Sequence, residues 1–176
     1  MKNNKYFLTS PDDVKAGSHV NYNVDDSDCA AAIRTAQNIY LRDIIGDKLL
    51  DAVIEMASGG TIDNPENAAY KELLDNYITE YLTVKAMVEI CVPISFKIRN
   101  MGLTQDYDTN VQAAQLRNIA EVADFFETQS IDRCNRMIKF LLANRAAFPE
   151  LDLQCVCGEE SPNLRLRANT QLYLGF

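Results

Sequence analysis

At 176 residues the chain is long enough for one domain with its own core, and 47% apolar with 24% charged residues excludes the low-hydrophobicity, high-charge make-up of a disordered chain. The 25 acidic residues outnumber the 17 basic ones, a net charge of -8, which disfavours general nucleic-acid binding unless the positive charges are segregated. No apolar run suits a signal peptide and none approaches the ~20 residues of a membrane span, so no membrane partner is expected, and the cysteines (Cys29, Cys91, Cys134, Cys155, Cys157) are expected as reduced, mostly buried thiols.

The patterning divides the chain into an N-terminal arm (1–25), a helical body (26–148) and a C-terminal arm (149–176). In the N-terminal arm Val20, Tyr22 and Val24 alternate with polar residues, which predicts a strand. Asp25-Asp26-Ser27-Asp28 then announces a helix with a cap and negative charge on its positive end. Ala32, Ile33, Ala36, Ile39, Tyr40 and Ile44 recur at three- and four-residue spacing until Gly46 offers a left-handed stop and Asp47 the next cap. A short second helix reaches about Ala57 and ends at Ser58-Gly59-Gly60.

The third helix is predicted from Asn64, with Pro65 in its first turn. Leu74, Tyr77, Tyr81, Val84, Val88 and Cys91 form its apolar stripe, widened by Leu73, Ile78 and Leu82, so it is expected to pack on more than one neighbour. Pro93 lies inside a continuing pattern of Ile94, Phe96 and Ile98, which predicts a kink or a second segment ending near Asn100, with Met101 to Asn110 as a turn. A last helix follows from about Thr109 or Asn110 to Ala147, with Val111, Ala114, Ile119, Val122, Phe126, Cys134, Met137 or Ile138, and Leu141 on one side and Pro149 as its stop. At ~38 residues it would span about 57 Å, so it either bends near Thr128-Gln129-Ser130 or projects toward a partner. In the C-terminal arm Leu151, Leu153, Cys155 and Cys157, then Leu164 and Leu166, then Leu172 and Leu174, alternate with polar residues. The fold class expected is mainly α, a bundle of about four to five helices with strand-like arms. Neither arm can close a core alone, so each needs a partner in the body, in the other arm or in another subunit.

No pattern of residues here supports catalysis. His19, the single histidine, stands in a polar stretch with no neighbour to orient it as a base. Cys155-Val156-Cys157 lacks the second pair that a structural zinc site needs, and no phosphate loop, dinucleotide fingerprint or nucleophile elbow is present. The expectation is a protein that is not an enzyme and holds no cofactor or metal. Lys97 and Arg99 near Pro93 form a two-charge cluster only, and Tyr70, Tyr77 and Tyr81 read as packing rather than as a platform for bases.

Charge is more informative. Asp43, Asp47, Asp51 and Glu55 fall at four-residue steps, and Arg133, Arg136, Lys139 and Arg145 occupy an acid-free stretch from Arg133 to Pro149. Any one of these residues is read most simply as solvated helix surface, with the basic group complementing the C-terminal end of its helix. Together they suggest unlike faces that meet between adjacent subunits, with Leu164, Leu166, Leu172 and Leu174 of the C-terminal arm as further inter-subunit candidates.

Three stretches carry a resemblance: Ala36-Gln37-Asn38-Ile39-Tyr40-Leu41-Arg42-Asp43-Ile44-Ile45-Gly46, Leu73-Leu74-Asp75-Asn76-Tyr77-Ile78 and Pro93-Ile94-Ser95-Phe96-Lys97-Ile98-Arg99-Asn100-Met101-Gly102-Leu103. The body resembles head-to-tail connector (neck ring, or adaptor) proteins of tailed bacteriophages, of the type found in crAss-like phages of Bacteroides. That resemblance implies a structural virion protein, assembled in the host cytoplasm, that forms a homo-oligomeric ring at the head-tail junction. It further implies a dodecamer that binds the portal protein and the next neck ring or tail protein and lets DNA pass without specific nucleic-acid binding. The alternative is a helical ligand-binding or regulatory module without catalysis, which would need an apolar pocket between the third and fourth helices.

Overall fold

In the computed structural model, which describes residues 6–17, 24–99, 102–105 and 116–151, the chain is mainly α-helical and its helices form a bundle. The first helix, α1 (Pro11–Ala16), starts at a reciprocal cap: Asp13 N–H donates to Ser10 Oγ at 3.1 Å while Ser10 N–H donates to Asp13 Oδ2 at 3.0 Å. With Pro11 in the first turn, this short helix is fixed locally.

The N-terminal segment is joined to the bundle. The side chain of Gln37, fully buried, accepts from Leu8 N–H and donates to the Tyr6 carbonyl, both at 2.9 Å, as a neighbouring strand would. Leu8 lies in the core, and Lys15 reaches Asp26 at 2.6 Å. Over its described part, 6–17, the N-terminal arm is an irregular stretch followed by a helix, packed on the body, one of the partners expected for it. Val20, Tyr22 and His19 lie outside the described residues, and Val24 stands at a bend before the next helix.

The second rod comprises α2 (Asp26–Thr35), a π-helical stretch (Ala36–Leu41) and α3 (Arg42–Ile45). Asp25 occupies the N-cap position without a side-chain hydrogen bond, so its expected capping role reduces to charge on the first turn with Asp26 and Asp28. The wider π turn shifts the register, leaving Ile39 exposed although its spacing places it on the apolar stripe. Gly46, at φ 84°, ends the rod in a backbone conformation that side chains other than glycine's resist. It also serves as N-cap of α4 (Asp47–Ser58), a place expected for Asp47.

The central rod starts with a 3₁₀ turn (Pro65–Asn67) and continues as α5 (Ala68–Leu73), a second π stretch (Leu74–Ile78) and α6 (Thr79–Ser95). Every residue from Tyr81 to Met87 is buried, because this helix divides two apolar clusters. Tyr81 and Leu82 join Leu41, Leu49, Val53, Met137 and Leu141 in one, whereas Val84, Met87 and Ile90 join Val14, Cys29, Ile33 and Phe126 in the other. The helix runs through Pro93, whose missing N–H leaves one helical hydrogen bond unmade, and stops at Ser95. The expected helical continuation to Asn100 and the turn from Met101 are corrected: Phe96–Arg99 (β1) and Gly102–Gln105 (β2) pair antiparallel, with Phe96 opposite Gln105 and Arg99 opposite Gly102.

The last helix, α7 (Leu116–Ala143), packs along α6, and a 3₁₀ turn (Arg145–Ala147) precedes Phe148. It is helical through Thr128-Gln129-Ser130 and stops before the expected Ala147. Phe126, Cys134, Met137 and Leu141 are buried as expected, but Val122 is 48% exposed. Buried Lys85 of α6 forms an ion pair with Glu127 of α7, and its ammonium also sits 4.0 Å from the Tyr40 ring centroid, so one cation joins three rods. The end of α7 closes on an aromatic group: Tyr77 stacks on Phe140 at 4.4 Å, and Tyr70 meets Phe148 edge-on at 5.1 Å.

Candidate functional site

The acidic stripe is broken by the turn at Gly46, since Asp43 stands on α3 while Asp47, Asp51 and Glu55 follow one another along α4. All four are exposed. Arg42 spans the corner, donating from Nη1 to Asp47 at 2.6 Å and from Nη2 to Asp51 at 3.2 Å. Desolvation, the largest influence on its guanidinium, pulls the pKa down, and the paired carboxylates outweigh it and push it up. Arg42 thus ties the end of α3 to the start of α4 through Asp47 and Asp51.

On α7, Arg133 and Arg136 both lie near Glu80 of α6, at 3.9 and 3.8 Å, too long for hydrogen bonds. Arg133 is half-buried, but Arg136 is 66% exposed, and Lys139 and Arg145 are exposed farther along. Lys139 and Arg145 have no ion pair among the described residues. The structure therefore brings Asp47, Asp51 and Glu55 together on one helix and Arg136 and Lys139 on another, and it does not join the two groups within the chain. Leu164, Leu166, Leu172, Leu174, Cys155 and Cys157 lie outside the described residues.

The exposed surface also carries apolar side chains. Phe125, at 58%, is the most exposed of them, and it stands on the outer side of α7 beside buried Phe126. Ile39, Val122 and Leu142 are the other large ones on helices among the described residues.

Other polar positions are structural. The hydroxyl of buried Tyr70 donates to Glu150 at 2.6 Å, and burial first, then that carboxylate, push its pKa above the ordinary value near 10. Burial likewise raises the Cys29 and Cys91 thiols, making them poor nucleophiles. Sequence reasoning missed Gln37, Lys85 and Glu127. Gln37 lies inside one of the quoted stretches, but only its tertiary neighbours reveal why an amide sits there.

Among the described residues no group of three His, Cys, Asp or Glu side chains could hold a metal ion, and no helix is long and apolar enough to cross a membrane. No curated protein and no solved structure matches the chain. A family of unknown function (DUF6712) matches residues 41–161, the stretch that holds the acidic corner, the central rod, the hairpin and α7. By that match over more than half of its length, the chain belongs to the DUF6712 family.

Proposed function

We propose that this protein is a structural building block of a phage neck ring, joining the portal to the tail or next ring and enclosing a channel through which DNA passes. The observation that carries this reading is the pair of oppositely charged, exposed faces on different helices of one bundle: Asp47, Asp51 and Glu55 on α4, and Arg136 and Lys139 on α7. A heterologous contact between unlike faces repeats from copy to copy and closes a ring when the rotation allows. The likeness of Ala36–Gly46, Leu73–Ile78 and Pro93–Leu103 to connector proteins supports the same reading. So does the net charge of -8, because a negative wall does not hold DNA.

The test is assembly with a candidate portal ring, followed by light scattering and electron microscopy. Wild type should add as a ring at the portal's symmetry. Asp51→Lys with Glu55→Lys should keep its helicity by circular dichroism and fail to add. Because Asp51→Lys sets an ammonium beside Arg42, as reversal of Arg133 would set a carboxylate beside Glu80, Glu55→Lys alone is the control variant and should also fail to add. A protein that ignores every portal and tail partner, or a reversed variant that assembles like wild type, refutes the reading.

A further inference from the structure

Four charged side chains of α4 and α7 form two rows of equal spacing. On α4, Lys48 and Glu55 are exposed and make no ion pair among the described residues, whereas Asp47 and Asp51 are held by Arg42. On α7, Asp132 and Lys139 are exposed and make none among the described residues, whereas Arg133 and Arg136 lie beside Glu80. The members of each row are seven residues apart, which in an α-helix is nearly two full turns and about 10.5 Å, so they stand one above the other on one side of their helix. The signs run in opposite order: base then acid along α4, acid then base along α7.

We infer that α4 of one copy lies along α7 of the next, parallel, with Lys48 opposite Asp132 and Glu55 opposite Lys139. The antiparallel arrangement would set Lys48 against Lys139 and Glu55 against Asp132, like on like. In the parallel register Leu142, which is 41% exposed and stands one turn beyond Lys139, comes level with Ser58 and Gly59, where α4 ends in residues too small to obstruct it. Exposed ion pairs contribute little affinity, so the four charges set direction and register, and covering Leu142 adds the apolar part of the contact. The two surfaces differ, so each copy offers α4 to one neighbour and α7 to the other, and the contact repeats head to tail.

The contact rests on the ring reading above and refines it. If only an acidic face met a basic one, Lys48 and Asp132 would each be a charge of the wrong sign on its own face, and reversing either would strengthen assembly. In the parallel register they are a pair, and reversing either one weakens it.

The experiment uses the full chain. Lys48→Glu should keep its helicity, because an acid in the first turn of α4 suits the helix dipole, and Asp132→Lys should keep it because its position is exposed. Each variant should add to a portal ring about tenfold more weakly than wild type, the small loss at each contact being repeated around the ring, and the chain carrying both substitutions should recover. As a second readout, wild type mixed from isotope-labelled and unlabelled chains at high concentration and treated with a carbodiimide should give amide cross-links between copies, joining Lys48 to Asp132 and Glu55 to Lys139. Single variants that add as well as wild type or better, a double variant that does not recover, or the absence of both cross-links overturns the inference and leaves the ring reading standing where wild type adds to the portal. Both cross-links in a protein that adds to no portal keep the contact and overturn the ring reading, so the two proposals fail separately.

Discussion

Gln37 is an uncharged polar side chain at zero exposure, and both halves of its amide are used by the backbone of Tyr6 and Leu8. Gln37→Leu keeps the volume but leaves the buried Leu8 N–H without a partner, at a cost of about 1–3 kcal/mol, and releases the part-buried carbonyl of Tyr6. Urea unfolding should show the loss, and amide exchange at Leu8 should accelerate more than exchange in α6. Lys85 is a sharper case, at 4% side-chain exposure. Removing one member of a buried pair costs about 3–5 kcal/mol, whereas replacing both with apolar groups is often neutral. Lys85→Met should therefore destabilise strongly, and Lys85→Met with Glu127→Leu should recover much of the loss, a non-additivity readable in thermal melts. Tyr70 gives a pH signature. Its folded pKa is raised, so above the ordinary value near 10 the unfolded chain loses the phenolic proton first and stability falls as pH rises, by up to about 1.4 kcal/mol per pH unit. Tyr70→Phe should remove that alkaline slope while leaving stability below pH 9 changed only by the lost bond to Glu150.

Among the elements, the helices of the body were legible because their apolar residues repeat at three and four, and Gly46 was legible because a left-handed stop has one favoured residue. The hairpin was misread for a physical reason. Phe96 and Ile98 alternate with Lys97 and Arg99, a pattern of period two, and next to a long helix they also fit its three-and-four stripe. Pro93 weakens the helical reading by removing one backbone hydrogen bond, and it does not by itself choose between the two. The π stretches were invisible for a different reason: a single extra residue per turn leaves no mark in composition, yet it turns Ile39 outward. The α1 cap did have a local signal, Ser10 three residues before Asp13 with Pro11 between them. Ser10→Ala should cost about 1 kcal/mol. Because α1 packs against α2 and α6, protection should fall there first, and hydrogen exchange in the aromatic group at Phe140 and Phe148 should change little.

At the scale of the whole molecule, the charged faces and the core respond to salt in opposite ways. The α4 and α7 faces are exposed, and the screening length shrinks from about 10 Å at 0.1 M salt to about 3 Å at 1 M. The monomer is held by two apolar clusters and by the shielded Lys85–Glu127 pair, neither of which added salt weakens much. On the neck-ring proposal, assembly on a portal should therefore fall steeply between 0.1 and 1 M sodium chloride while the melting temperature of the free chain holds or rises. If assembly were instead driven by apolar strands in the arms, higher salt would leave it unchanged or strengthen it. Light scattering across a salt series separates the two, and the residual association at high salt measures what residues outside the charged faces contribute.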